Sequence, residues 1–171
     1  EEAILNFNRP EIRAVGVPGG GAITTAEDLA LFWQALLHGG LGGRRLWSDA
    51  WLTRARRVRT GALTDPVYGV AANRGLGIVI AGDASRTLRG FGHGNSPEAM
   101  GHNGAGGQIA WADPASGMSF AYVTSGHDRN PIREARRTVA LASLAADLTA
   151  NLAANLTANL AVPGSGQDGF G

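Results

Sequence analysis

Residues 101–124 read Gly101-His102-Asn103-Gly104-Ala105-Gly106-Gly107-Gln108-Ile109-Ala110-Trp111-Ala112-Asp113-Pro114-Ala115-Ser116-Gly117-Met118-Ser119-Phe120-Ala121-Tyr122-Val123-Thr124. The runs 107–112 and 118–124 are rich in β-branched and aromatic side chains and flank Asp113-Pro114-Ala115-Ser116-Gly117, which has the Asp, Pro and Gly of a turn. The stretch predicts a hairpin and with it an antiparallel sheet. Upstream, a glycine-punctuated texture begins at Val67, and Leu76-Gly77-Ile78-Val79-Ile80 adds a further strand.

The flanks read as helices. Thr24 and Glu27 are spaced as a capping box, and Leu29, Phe32, Trp33, Leu36 and Leu37 then recur at helical spacing until Gly39-Gly40. Ser48, with Trp47 before it and Leu52 four residues on, starts a shorter helix whose basic face carries Arg54, Arg56, Arg57 and Arg59. Asn130-Pro131 places a cap and a first-turn proline before a long Ala/Leu-rich helix running to about Ala161, and Pro163-Gly164-Ser165-Gly166 opens a flexible tail. The period-four repeat Ala150-Asn151-Leu152-Ala153, Ala154-Asn155-Leu156-Thr157, Ala158-Asn159-Leu160-Ala161 spaces leucines too widely to share one face, so the helix is expected to lose its packing there.

Composition narrows the chemistry. With 171 residues, 44% apolar and 17% charged, the chain is long enough for one globular domain or a large piece of one. No apolar run is long enough to span a membrane, and a net charge of +1 gives no footprint for nucleic acid. All 15 basic residues are arginine, which excludes a phosphate loop ending in Gly-Lys-Ser/Thr, a Schiff-base lysine and a Ser-x-x-Lys pair within this sequence. The absence of cysteine removes thiolate chemistry and leaves the compartment open. The start, Glu1-Glu2-Ala3-Ile4, has no signal-peptide pattern and no initiator Met, so the chain is expected to be cut from something longer.

Four histidines, His38, His93, His102 and His127, are the obvious reagents, and none has metal-ligand spacing, so neither a metal nor a cofactor is expected. His38 falls at a helix C-terminus, where a cation suits the dipole. Ser125, His127 and Asp128 are too close in sequence to converge on one reacting atom, and no Gly-x-Ser-x-Gly elbow exists. Gly101-His102-Asn103-Gly104-Ala105-Gly106-Gly107 enters a strand, so it lacks the helix N-terminus of a phosphate cradle. Glycines on a strand edge instead let a substrate approach the backbone, where free N–H groups stabilise an oxyanion; the alternative is a tight turn or bulge with no further role.

Val17-Pro18-Gly19-Gly20-Gly21-Ala22-Ile23-Thr24-Thr25-Ala26-Glu27-Asp28-Leu29, Leu36-Leu37-His38-Gly39-Gly40, the 101–107 stretch and Ala112-Asp113-Pro114 together resemble the C-terminal half of the serine beta-lactamase-like hydrolases. That family groups class C lactamases, D-Ala-D-Ala peptidases and related esterases, and the resemblance covers about residues 15–148. Its three site motifs are Ser-x-x-Lys, Tyr-x-Asn, and Lys-Thr-Gly or His-x-Gly. His102-Asn103-Gly104 matches the last. The resemblance implies that Ala105 supplies an oxyanion-hole N–H, that His102 positions the substrate or the proton relay, and that Asn103 and Gly104 border the substrate. The other two motifs are missing, since neither Tyr68 nor Tyr122 has Asn two places on.

The expected fold is α+β: an antiparallel sheet packed by helices, forming the C-terminal part of a beta-lactamase/transpeptidase-like fold. Residues 1–66 are expected to be part of a helical subdomain, 67–161 the sheet region with its long C-terminal helix, and 162–171 a tail. The expected function is that of a C-terminal fragment of a serine hydrolase acting on a small ester or amide, esterase favoured, and inactive alone. Its expected partners are the missing N-terminal half or a second copy. The alternative is a non-catalytic pseudoenzyme or interaction module on the same scaffold.

Overall fold

A computed structural model describes residues 6–160; the tail at 162–171 and the side chains at 150 and 153–160, those of Leu156 and Leu160 among them, lie outside the described part. The elements in chain order are a 3-10 turn Asn6–Asn8, α1 Pro10–Val15, α2 Ala26–His38, β1 Gly40–Leu41, β2 Arg44–Arg45 and α3 Asp49–Arg56. β3 Val79–Ile80, a 3-10 segment Ala84–Arg89, β4 Met100–Gly104, β5 Gln108–Asp113, β6 Met118–Tyr122 and α4 Pro131–Leu160 follow.

The predicted hairpin is β5–β6, in the register Asp113↔Met118 to Ile109↔Tyr122. It extends an antiparallel four-stranded sheet of order β3-β4-β5-β6. β5 is buried on both faces, and its alternation sorts the core. Ile109 and Trp111 point to one side and pack with Val79, Phe91, Ala142, Ala145 and Ala146, which brings α4 against the sheet. Ala110 and Ala112 point to the other side and pack with Ile80, Met100 and Trp33 of α2. Small side chains on β5 are what let the Trp33 indole lie close to that face. The helix α2 thus covers the second face of the sheet.

Two sequence expectations shift. The α2 cap is Thr25 instead of Thr24: its hydroxyl accepts from the Asp28 N–H at 3.0 Å and meets the Asp28 carboxylate at 2.9 Å. Two capping signatures overlap here, and the later one brings both Glu27 and Asp28 into the first turn, at the positive end of the helix. The strand expected over 76–80 shortens to Val79–Ile80. Leu76 N donates to Ala55 O at 2.9 Å and Gly75 N to Ile78 O at 2.8 Å, a tight turn with Gly77 at φ +72° that takes the preceding backbone out of the sheet.

Other expectations recur in the structure. Ser48 caps α3 by accepting from Trp51 N, Gly39 ends α2 in the left-handed conformation, and Asn130 caps α4 by accepting from the Ile132 and Arg133 amides. Gly92 lies so close to α4 that a Cβ there would overlap the Ala142–Ser143 backbone, so close packing accounts for this glycine.

Candidate active-site edge

The strand β4 carries the candidate residues, and its neighbours differ in length. β5 pairs with all of it, from Met100↔Ala112 to Gly104↔Gln108, whereas β3 pairs only with Met100 and Gly101. From His102 onward the other edge of β4 has no strand beside it among the described residues. The backbone there is left open to the groove side.

The pleat sends successive side chains to opposite faces. His102 stands opposite Ala110, on the face that holds Met100 and Trp33. It is exposed and lines a groove of about 350 Å³ with Gly19, Arg74, Gly75, Gly77 and Ile78. Its Nδ1 lies 2.6 Å from the Asn103 carbonyl oxygen. A carbonyl can only accept, so Nδ1 carries the proton in this contact and a neutral ring keeps Nε2 as an acceptor. Asn103 faces the α4 side and lines a separate cavity of about 60 Å³ with Tyr68, Gly90, Gln108 and Thr138. The four candidates therefore share one strand end while His102 and Asn103 serve different faces. Ala105 follows Gly104 at the end of the ladder, exposed, in the turn to β5.

The remaining sequence candidates are dispersed. Asp128 is taken up by Arg133 and Arg137 and by the Asn130 amide, and no hydrogen bond joins it to Ser125 or His127 among the described residues. The Arg133 guanidinium, first, and the Asn130 N–H hold its carboxyl well below the usual carboxylate range. His38 ends α2, with its Nε2 2.7 Å from Gln34 Nε2. No cluster of three or more His, Asp or Glu side chains able to hold a metal occurs among the described residues, and no helix there is long and apolar enough to cross a membrane.

Sequence reasoning did not single out Arg74, which joins His102 in the groove, or Arg137, which reaches the turn after β4. Neither has a motif. Each meets the strand only through the tertiary fold, Arg137 across 31 residues from Gly106.

An antiparallel sheet covered by helices on both faces, with a His-x-Gly strand at its open edge, defines an α+β protein of the beta-lactamase-like hydrolase class. The Beta-lactamase family model matches residues 2–145, and the chain belongs to that family. It is 33% identical over 108 residues, 63% of its length, to the esterase/beta-lactamase LipL of Mycobacterium tuberculosis, of which it spans 23%. Among solved structures it is similar to a beta-lactamase, Mb2281c, of Mycobacterium bovis, with 24% identity and a TM-score of 0.61, covering 74% of this chain and 44% of that one. It is also similar to EstA of Arthrobacter nitroguajacolicus Rue61a, with 24% identity and a TM-score of 0.62, covering 88% and 39%. The chain thus spans less than half the length of each of these relatives.

Proposed function

We propose that this chain forms one wall of an acyl-transfer site in which an ester, or less favourably an amide, is hydrolysed through a serine ester. The observation that carries the proposal is the open edge of β4 from His102 onward, beside a groove that the imidazole lines. In this reading the Ala105 N–H donates to the developing oxyanion, and His102 positions the substrate or relays a proton. Gly104 lets the acyl group approach the strand, and Asn103 borders it. In this reading the described residues 6–66 are part of a helical subdomain, of which α2 covers the second face of the sheet, and 67–160 form the sheet region with its long helix. The nucleophile and its base come from outside this sequence, which has no lysine for Ser-x-x-Lys. The short span along LipL and the solved relatives supports reading the chain as part of a longer enzyme, and the resemblance of His102-Asn103-Gly104 to the last of the three site motifs supports its C-terminal part. His-x-Gly in place of Lys-Thr-Gly favours an ester over a lactam in this reading, and LipL is named an esterase/beta-lactamase.

The missing lysine also favours a second reading, a scaffold that has kept the fold and lost the chemistry. Two measurements test the proposal, and the second separates the two readings. The chain alone is expected neither to hydrolyse p-nitrophenyl esters or chromogenic lactams nor to be labelled by a fluorophosphonate; stoichiometric labelling would place an activated serine inside it and overturn the proposal. Joined to an N-terminal half carrying Ser-x-x-Lys and Tyr-x-Asn, it is expected to gain esterase turnover that His102→Ala lowers. A folded, inactive fusion would establish the scaffold reading.

A further inference from the structure

We infer that Arg137 is a positioning residue for the turn that carries the Ala105 amide: its guanidinium, anchored on Asp128, holds the Gly106 carbonyl and with it the Gly107 N–H of the same peptide, which donates to the Gly104 carbonyl of the peptide that carries the Ala105 N–H. The inference rests on the proposed reading of Ala105 as an oxyanion donor.

The turn has little of its own to hold it. Gly106 and Gly107 sit at φ +86° and +100°, where only glycine is unstrained, and glycine is the residue with the most freedom to leave. One bond closes its base, from Gly107 N to Gly104 O, at a long 3.4 Å. The other restraints come from behind. Arg137 Nη2 and the Asp128 N–H both donate to Gly106 O, each at 3.4 Å. The His127 ring backs Gly106 so closely that a Cβ there would sit 2.8 Å from its Cδ2, and a Cβ on Gly107 would overlap the Arg137 guanidinium.

Arg137 is itself held in place. Its Nη1 donates to Asp128 Oδ2 at 3.0 Å, while Arg133 donates to both oxygens of the same carboxylate at 2.9 and 2.8 Å. The two arginines are four residues apart and share one face of α4, and the Asp128 side chain is only 7% exposed between them. The carboxylate therefore fixes one arm of Arg137 and leaves the other for the turn. Gly104 C=O and Ala105 N–H belong to one planar peptide, so whatever fixes that carbonyl also aims the amide on the opposite side. Displacement of a reacting group by 1 Å costs about 100-fold in rate, so the aim of this N–H matters to the proposed chemistry.

Residue-resolved amide exchange by NMR on the 171-residue chain tests the inference. The proteins are the wild type, Arg137→Gln, Arg137→Lys and, as a surface control, Arg136→Gln. In Arg137→Gln, exchange at Gly107 and Asp128, whose N–H groups donate to Gly104 O and Gly106 O, is expected to rise about tenfold or more, while the amides of β5 stay unchanged. Arg137→Lys keeps the charge beside Asp128 and loses the second arm, so it is expected to fall between wild type and Arg137→Gln. It carries the same comparison should the glutamine variant not fold. A turn unchanged in both variants overturns the inference, and so does exchange that rises by one factor throughout the chain, the mark of a merely structural role. Exchange reads the turn without any oxyanion present. A chain that passes here and stays inactive in the fusion assay refutes the functional reading alone.

Discussion

Replacing Asp113 by alanine removes the one acceptor that ties the β5–β6 turn to the loop feeding β4. Its carboxylate is 3% exposed at the residue level and receives Asn95 Nδ2 at 3.2 Å, Ser96 N at 2.7 Å, Ser96 Oγ at 2.6 Å and Ala115 N at 3.0 Å. Hydrogen bonds to a charged group contribute about 1.5–3 kcal/mol each, but they do not simply add, because water replaces those at the rim. Asn95 is 1% exposed and cannot be rewetted, whereas the Ser96 and Ala115 donors are part-buried. We therefore expect Asp113→Ala to cost about 3–4 kcal/mol, one orphaned buried donor plus partial losses at the others. For a chain of this size that lowers Tm by about 6–16 °C. Asp113→Asn keeps the shape and one acceptor oxygen but turns an NH2 toward other donors, and should cost about 2 kcal/mol. Urea unfolding followed by tryptophan fluorescence measures both. An alanine variant within about 1 kcal/mol of wild type would show that the loop does not depend on the carboxylate and would refute the reasoning.

Three further expectations follow from exposure and charge. His102→Ala should change stability by less than about 0.5 kcal/mol in a thermal melt, because the ring is exposed and its one hydrogen-bond contact is with the adjacent Asn103; a larger loss would make it a structural residue. The Asp128 carboxyl is held below its unfolded value chiefly by Arg133, so its contribution is complete above the unfolded pKa of about 4 and is lost as pH falls toward the depressed folded value. Asp128→Asn should accordingly flatten the dependence of stability on pH below about 4, and an unchanged slope in acid unfolding would count against the arginine pairing. Leu144, Leu148 and Leu152 are 63%, 61% and 60% exposed along α4, and their joint replacement by glutamine should reduce self-association in sedimentation and binding of a hydrophobic dye while leaving Tm nearly unchanged.

Legibility in the sequence followed the range of the interaction. The hairpin was readable because Asp113-Pro114-Ala115-Ser116-Gly117 encodes its turn locally, and the helix starts at Ser48 and Asn130 because a single side chain makes each cap. Where two local signals overlapped, at Thr24 and Thr25, the choice fell to the neighbouring carboxylates. Where a local pattern met a distant backbone, it lost: Leu76 reads as strand, and the Ala55 carbonyl draws its N–H away from the sheet. Nor does periodicity reveal that α2 covers the second face of the sheet, since an apolar stripe specifies that a helix face is buried without naming what buries it.

The candidate site divides along the same line. Its motif is contiguous and was readable as a string, while the setting that gives the string chemical meaning is tertiary. His102-Asn103-Gly104 is an edge only because β3 stops after two residues, and β3 stops because Gly75 and Leu76 are bound elsewhere. The turn that follows stays in place because α4 returns Arg137 to it, and α4 lies there because Gly92 permits its close approach and Trp111 fills the space beneath. The restraints on the strand end seen among the described residues come from this chain. If acyl transfer is the function, this wall is set before any nucleophile arrives, and a partner segment has only to present its serine to an amide already aimed.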